Sequence, residues 1–283
     1  MAARQEETQL LQLPDPCLLV VLQNCADDLH SLFSAARAHS RLHQAAVQAL
    51  SSITVSGIQQ QQQVDGLLRY LSKYGHQVDS MDLTCSRFDR IRLCQLPDHL
   101  HLSSLKLAHP ELQLQPGSGV QGVVRPGVPL KQLQLQDCKL VDGAEGLAAA
   151  LSVLPGLQHL SFSAVSWRLH YGCVFLTSAL SALQQLTHLE LLGVEVQGPD
   201  QGGLALQPLQ YLTQLKDLRL YLAAAAAIDS SMLSGLQCLA RLELTGQATL
   251  RPGALGTLAQ LQHLYLEQGV LRSCFLSCST CSS

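Results

Sequence analysis

The sequence predicts an α/β solenoid, with short parallel strands on a concave face and helices or loops on the convex face. The pattern apolar-x-x-apolar-x-apolar recurs eight times, and successive units begin 22 to 29 residues apart. Apolar residues make up 47% of the chain but aromatic residues only 4%, so leucine has to supply most of the core. A fixed short period of this kind is typical of stacked repeats, each of which buries its apolar face against its neighbours.

Each unit predicts one short strand. Alternate residues of a strand point to opposite faces, so the last two apolar positions of a unit face inward and the residues between them face outward. The first apolar position, three residues earlier, packs the turn that leads into the strand. The eight units span residues 78–83, 102–107, 130–135, 157–162, 186–191, 215–220, 239–244 and 261–266.

The segments between the units predict the return path of the chain. Residues 147–154 are rich in helix-forming residues, and residues 175–183 place apolar residues on one helical face. Residues 206–212 contain Pro208, which favours a looser or 3₁₀ turn. Residues 109–129 carry two Pro-Gly pairs and predict a loop.

The eight units resemble the leucine-rich-repeat family over roughly residues 76–270. That resemblance implies a curved solenoid of about eight repeats. The family pattern places an Asn or Cys three residues after the last strand leucine, where it bonds the neighbouring turn. Only Cys138 matches this position, so we expect an irregular coil with few such bonds.

Residues 13–50 predict three short helices. Pro14 and Pro16 suit the start of an apolar helix, Asp27 or Asp28 can cap a second helix, and Ser40 can cap a third. This segment resembles an F-box, although His39 and Leu42 stand where the family usually has Cys and Trp. The residues that match the F-box motif are Leu13, Pro14, Leu18, Leu22, Asp28, Leu29, Leu32, Ala36, Arg41, Leu42 and Ala45.

The F-box resemblance implies docking on the Skp-type adaptor of a cullin ubiquitin ligase, with the repeats capturing an unknown protein target for ubiquitin-dependent degradation. The implied adaptor-binding residues are Leu13, Pro14, Leu18, Leu22, Leu32 and Leu42. The alternative is an interaction scaffold without a ubiquitin role, in which these helices only cap the solenoid.

The remaining segments complete the predicted organisation. Residues 1–12 are expected to be disordered, and residues 51–75 to form a linker and capping helix. In that linker the glutamines at 59–63 predict a solvated loop, and residues 65–74 a helix that Gly75 ends. The tail at 271–283 holds three cysteines among serines and lacks a fourth zinc ligand, so it is expected to be disordered, with a metal site or acylation as the alternative. The last strand is expected to be an exposed edge.

Composition and motifs argue against several functional classes. A net charge of -3 without a basic cluster disfavours nucleic-acid binding, and no apolar run is long enough to span a membrane. We therefore expect an intracellular, non-catalytic protein without cofactor or metal. The glycine spacing at 117–122 lacks the strand and helix of a nucleotide site, and His99 and His101 lack ligand partners, which favours surface histidines.

The outward-facing strand residues form the candidate binding face. One predicted column comprises Ser80, Ser104, Gln132, His159, His188, Asp217, Arg241 and His263, and the other Asp82, Lys106, Gln134, Ser161, Glu190, Arg219, Glu243 and Tyr265. The face is either a self-neutralising charged surface or a ligand surface. The predicted target-binding residues are His188, Glu190, Asp217, Arg219, Tyr221, Arg241, Glu243 and Tyr265.

Overall fold

The structure is a computed structural model of the 283-residue chain. It describes residues 12–24, 38–49, 51–86, 91–93, 95–112, 123, 127–140, 143–163, 180–194 and 207–267. The predicted second helix of the N-terminal segment, the tail at 271–283, the glycine spacing at 117–122 and most of residues 175–183 lie outside these ranges.

Nine parallel strands form one continuous sheet. They follow the order β1-β2-β4-β6-β8-β9-β10-β11-β12, so each repeat adds a strand beside the previous one. The strands are β1 (Ser52–Ile58), β2 (Ser80–Cys85), β4 (Ser104–Ala108), β6 (Gln132–Gln136), β8 (His159–Ser163), β9 (His188–Val194), β10 (Asp217–Ile228), β11 (Arg241–Leu250) and β12 (His263–Leu266).

The register of the sheet aligns equivalent residues of successive repeats. From β2 to β12 each strand pairs its own inward position with that of its neighbour, as in Leu105↔Leu133 and Leu218↔Leu242. These inward side chains are buried in every strand of the sheet from β2 to β11. The fold is therefore the predicted α/β leucine-rich-repeat solenoid, stabilised by the apolar surface that stacking removes from water.

The sheet begins one strand earlier than predicted. β1 lies inside the segment predicted to be a linker and pairs with β2 through Ile53↔Met81 and Val55↔Leu83. The spacing Leu50-x-x-Ile53-x-Val55 fits the repeat pattern and begins 28 residues before Val78, within the observed period. The unit fits the same apolar pattern as the other eight, with Ile53 and Val55 at the inward positions, so the sequence contained the signal for this strand.

The second part of the glutamine tract is helical, which corrects the predicted loop there, while Gln59 and Gln60 precede the helix and the tract is exposed as predicted. Helix α3 (Gln61–Tyr74) begins within the tract, after α1 (Asp15–Asn24) and α2 (Ser40–Ala49). The Gln63 side-chain oxygen accepts hydrogen bonds from the backbone N–H groups of Gln59 and Gln60, at 2.8 and 3.0 Å. Backbone donors at a helix start lack helical partners, so this side chain satisfies two of them and fixes where the helix begins.

Helix α3 ends at Gly75 as predicted, but for a different physical reason. Gly75 has φ of -79°, which is not the left-handed conformation that favours glycine at helix ends. A Cβ atom at this position would lie 2.7 Å from a methyl carbon of Leu100. Close packing against the next repeat therefore accounts for the glycine.

Short helices return the chain along the convex side. Helix α4 (Gly143–Ser152) overlaps the predicted helix at 147–154, and the segment at Pro208 is a 3₁₀ helix (Gln207–Tyr211) as predicted. Helix α5 (Ser230–Leu233) is capped by the Asp229 carboxylate, which accepts hydrogen bonds from the Ser231 and Met232 N–H groups.

A second, three-stranded parallel sheet crosses three consecutive repeats. It consists of β3 (Arg92–Leu93), β5 (Glu111–Leu112) and β7 (Lys139–Leu140). β5 lies within residues 109–129, so the predicted loop contains a strand. The Glu111 side chain is buried and lies 3.2 Å from Arg92 Nε and 2.7 Å from Lys139 Nζ. Hydrogen bonding to Lys139 is the main cause that holds the pKa of Glu111 below its usual range.

Cys138 bonds neighbouring turns as the repeat pattern implies. Its thiol donates towards Leu107 O, at 3.3 Å, on the strand of the preceding repeat, and lies 3.4 Å from Gln136 O. Burial raises the pKa of the Cys138 thiol to about 12. The residue is therefore a structural thiol rather than a reactive one.

The two ends of the sheet differ. At the N-terminal end α1 packs on α2, and both contribute buried residues to the same continuous apolar core as the repeats. At the other end Leu264 of β12 remains 45% exposed, in agreement with the predicted open edge. Within the described ranges, the helices are all too short or too polar to cross a membrane.

Candidate binding face

Both predicted columns of outward residues exist as continuous rows. The strand register places Gln132, His159, His188, Asp217 and Arg241 side by side in consecutive strands. The second row aligns in the same way, from Asp82 of β2 to Tyr265 of β12. Neighbouring strands lie about 4.8 Å apart, so each side chain contacts its counterparts in the adjacent repeats.

The half of the face on β9 to β11 is charged and centred on Arg219. Its guanidinium donates to both carboxylate oxygens of Asp217 at 3.3 Å and lies 3.9 Å from the carboxylates of Glu190 and Glu243. The hydrogen bond that Arg219 donates to Asp217 raises the pKa of Arg219 above its ordinary value. Arg241 lies 3.9 Å from Asp217 on the other side. Glu190, Arg219 and Glu243 therefore alternate in charge along the second row.

Two histidines meet at the edge of the charged half, where β8 adjoins β9. The His159 and His188 rings stack with centroids 4.1 Å apart and planes inclined by 13°. The Ser161 hydroxyl donates to Glu190 at 2.7 Å, which joins β8 to β9 in the second row. Burial, followed by the charge of His159, lowers the pKa of His188.

A cavity of about 200 Å³ opens on the face at this junction. It extends from Gln132 and Gln134 on β6 to Asp217 and Arg219 on β10. A second depression, of about 470 Å³, lies over β11 and β12 beside Arg241 and Tyr265.

Two tyrosines project from the face. Tyr265 is 58% exposed at the end of the second row, and Tyr221 is 42% exposed two residues beyond Arg219 on β10. Exposed tyrosine and arginine side chains are frequent anchors of protein interfaces. All eight predicted target-binding residues therefore lie on one sheet, and the structure orders them along β9 to β12.

The cavity includes residues outside the predicted target-binding set. Gln132, Gln134, His159 and Ser161 lie in the predicted rows, but none was selected as a binding residue. The signal was in the sequence, because His159 and His188 occupy the same position of consecutive repeats and must be neighbours in a parallel stack.

The predicted adaptor-binding residues do not form a common surface. Leu18, Leu22 and Leu42 are buried in the core, where α1 and α2 meet, while Leu13 is half-buried and Pro14 exposed. Leu32 lies outside the described residues. Burial in an apolar core follows from the amphipathic spacing that suggested these residues, since the same spacing serves packing and docking. The exposed apolar side chains of α1 are Val20 and Val21, at 56% and 38%.

His99 is half-buried and makes a structural contact. Its Nε2 lies 2.9 Å from Leu71 O and links the second repeat to α3. His101 is exposed as expected. In the described part of the chain, no three His, Cys, Asp or Glu side chains are close enough to hold a metal ion.

Several known protein structures match this chain at low sequence identity. An internalin of Listeria monocytogenes matches with 15% identity and a TM-score of 0.37, over 79% of this chain and 68% of the internalin chain. A leucine-rich-repeat protein of Leptospira interrogans matches with 18% identity and a TM-score of 0.42, over 81% and 60% of the two chains. A plant peptide hormone receptor, solved in complex with RGF2, matches with 16% identity and a TM-score of 0.41, over 78% of this chain and 36% of the receptor.

No family model matches the sequence, and comparison with curated protein sequences gives no significant match. The assignment of the fold therefore depends on the chain itself. Its nine parallel strands align their inward leucine positions repeat by repeat, with helices and turns on the opposite side. This chain has the α/β fold of a leucine-rich-repeat solenoid.

Proposed function

We propose that the chain is a non-catalytic, intracellular protein-binding protein that captures a protein target on its concave face. The observation that carries the proposal is the pair of aligned outward rows, which hold charged, amide and imidazole groups in fixed positions on one sheet. A rigid sheet lets the face bind without first ordering its side chains, which lowers the entropic cost of association.

The chemistry of the face favours a protein over a nucleic acid. Phosphate backbones are bound by clustered positive charge, but the cations of the charged half already lie beside carboxylates. Mixed charges together with exposed Tyr221 and Tyr265 are typical of protein interfaces.

The test compares proximity labelling by the full chain and by face variants in cells. We expect the double variant Tyr221→Ala, Tyr265→Ala to lose the partners that the parent labels, because truncation removes the two exposed anchors. The matched control is Tyr211→Ala, which removes an equally exposed tyrosine from the 3₁₀ helix between strands. An unchanged partner set in the double variant, with thermal unfolding like that of the parent, would exclude the concave face.

We further propose that the N-terminal helices dock on a Skp-type adaptor and make the chain the target-recognition subunit of a cullin ubiquitin ligase. The F-box resemblance of residues 13–50 supports this role, and the exposed pair Val20 and Val21 provides an apolar contact that the core does not use. The burial of Leu18, Leu22 and Leu42 supports the alternative, a solenoid cap without a ubiquitin role.

A pull-down with the purified adaptor separates the two roles. We expect the full chain to bind, the double variant Val20→Asp, Val21→Asp to lose binding, and Gln44→Asp, an exposed change on α2, to retain it. Substitution of buried Leu18 or Leu22 is uninformative because it would disrupt the core as well. If the parent chain does not bind the adaptor, the remaining role for these helices is that of a solenoid cap.

A further inference from the structure

The cavity at the centre of the concave face is rich in hydrogen-bond acceptors. Glu190 and Asp217 contribute carboxylates, and Gln132 and Gln134 contribute side-chain carbonyls. Glu190 accepts one hydrogen bond from Ser161, and its contact with Arg219, at 3.9 Å, is too long to be another. A carboxylate can accept about four hydrogen bonds, so Glu190 retains accepting capacity towards the cavity.

Thr187 holds the His188 ring beside the cavity. Its hydroxyl oxygen lies 2.8 Å from His188 Nδ1 and 3.0 Å from Gln158 O, which also accepts the backbone N–H groups of Thr187 and His188. The His188 ring, stacked on His159, therefore forms part of the cavity wall in a fixed orientation.

The charges around the cavity leave an acidic surplus. The side chains that line the cavity carry two carboxylates, those of Glu190 and Asp217, and one guanidinium, that of Arg219, which leaves a net charge of -1. A positive group that enters the cavity would complete this arrangement, whereas a negative group would add to the repulsion.

We propose that this cavity binds a basic side chain, a lysine ammonium or an arginine guanidinium, that the protein target inserts into the concave face. The inference deepens the proposed function and depends on it. Both basic groups are donor-only, which complements the Glu190 and Asp217 carboxylates of the cavity wall. Charge-assisted hydrogen bonds of this kind are among the stronger polar contacts of an interface.

Binding should weaken as the pH falls. A proton on His188 removes a ring acceptor and adds a positive charge to the cavity wall. His159 on β8 and Lys216 and Arg219 on β10 face the same ring and oppose that proton, while Asp217 favours it. Glu190 lies two residues along β9 from His188. The lowered pKa of His188 keeps the ring neutral at pH 7.5.

The test uses the full chain with ¹³C-labelled histidine rings and three small probes observed by NMR. The probes are Nα-acetyl-lysine amide, its neutral Nε-acetylated analogue and Nα-acetyl-glutamate amide. We expect only the lysine probe to shift the His159 and His188 ring signals at pH 7.5.

Three variants make the test specific. Glu190→Gln should weaken the lysine probe at least about fivefold, through loss of a charge-assisted contact. Asp82→Asn, which removes a carboxylate from the same row outside the cavity, should leave the affinity unchanged. His188→Gln should lose the weakening of binding between pH 7.5 and pH 5.5 that the parent shows.

The outcomes separate this inference from the proposed function. Equal ring shifts with the glutamate probe, no shift with the lysine probe, or equal weakening by Asp82→Asn would overturn the basic-side-chain site. If the double variant Tyr221→Ala, Tyr265→Ala still loses its cellular partners in that case, the concave face remains the binding surface. The cavity then binds a different group of the target.

Discussion

At the scale of the residue, the structure shows that a polar side chain of this fold is defined by its counterparts in adjacent repeats. His188 is shaped by His159 on one side and Asp217 on the other, and Glu111 by Arg92 and Lys139. The environment of a polar side chain is therefore determined by residues about one repeat away in the sequence. Substitution of single charged residues tests this dependence.

His188 should make stability depend on pH. Its pKa is lowered by burial and by His159, so the unfolded chain binds a proton at higher pH than the folded chain does. The contribution of neutral His188 is complete above the ordinary histidine pKa of about 6.5 and is lost as the pH falls below it. We expect His188→Gln to reduce the loss of unfolding free energy between pH 7.5 and 5.5 in urea titrations. An exposed change, His101→Gln, is the control, and equal flattening in both variants would contradict the assignment.

Glu111 should stabilise the second sheet. Its pKa is lowered mainly by the hydrogen bond from Lys139, so this contribution is present above the ordinary glutamate pKa and is lost as the pH falls. We expect Glu111→Gln to lower the free energy of unfolding at pH 7 by about 1 kcal/mol, a modest value because both basic partners are largely exposed. The variant should also lose less stability between pH 7 and 4 in urea titrations. If the variant loses as much unfolding free energy between pH 7 and 4 as the parent does, Glu111 is excluded as a source of that loss.

At the scale of the element, the sequence predicted strands better than the segments between them. Each strand has a short, repeated pattern whose two faces differ, so both its position and its inward residues could be read from spacing. The glutamine tract was misread because composition suggested a solvated loop, whereas the Gln63 side chain caps the first turn of α3. β1 was assigned to the linker although Leu50, Ile53 and Val55 fit the apolar repeat pattern.

Two glycines offer a matched test of element packing. A Cβ at Gly235, after α5, would lie 1.7 Å from the backbone oxygen of Gln210, whereas a Cβ at Gly66 in α3 would meet nothing within 4 Å. We expect Gly66→Ala to raise the free energy of unfolding by about 0.5–1 kcal/mol, the usual helix-interior gain. Gly235→Ala should lower it by more than this, since backbone must move. Thermal unfolding of both variants measures the difference, and a neutral Gly235→Ala would show that the 3₁₀ helix is not packed as described.

At the scale of the whole molecule, the fold could be predicted from the sequence and the role of the N-terminal helices could not. Repeats constrain register directly, because residues one period apart must be neighbours. Leu18, Leu22 and Leu42 carry an apolar pattern that is equally consistent with an internal core and with a docking surface. Only the structure distinguishes an internal core from a docking surface, because the difference depends on which neighbouring element covers the leucines.

The unequal ends of the sheet predict an uneven resistance to opening. Repeat arrays open from the units with the fewest neighbours, and Leu264 on β12 is partly exposed while β6 and β8 have a strand on each side. We expect amides of β12 and β11 to exchange with solvent sooner than those of β6 and β8 under native conditions. Hydrogen-exchange mass spectrometry measures this order, and uniform protection along the sheet would show that the array opens as a single unit.

The shared register of the inward leucines has a consequence for how this molecule can change over evolution. Because every strand presents the same interior contacts to its neighbour, the insertion or loss of one complete repeat preserves the core while it rearranges the outward rows. The outward rows that would bind a target can thus change without loss of the apolar core. Duplication of a segment of about one period could create a new surface in one genetic event, whereas most other insertions of similar size would interrupt the stack.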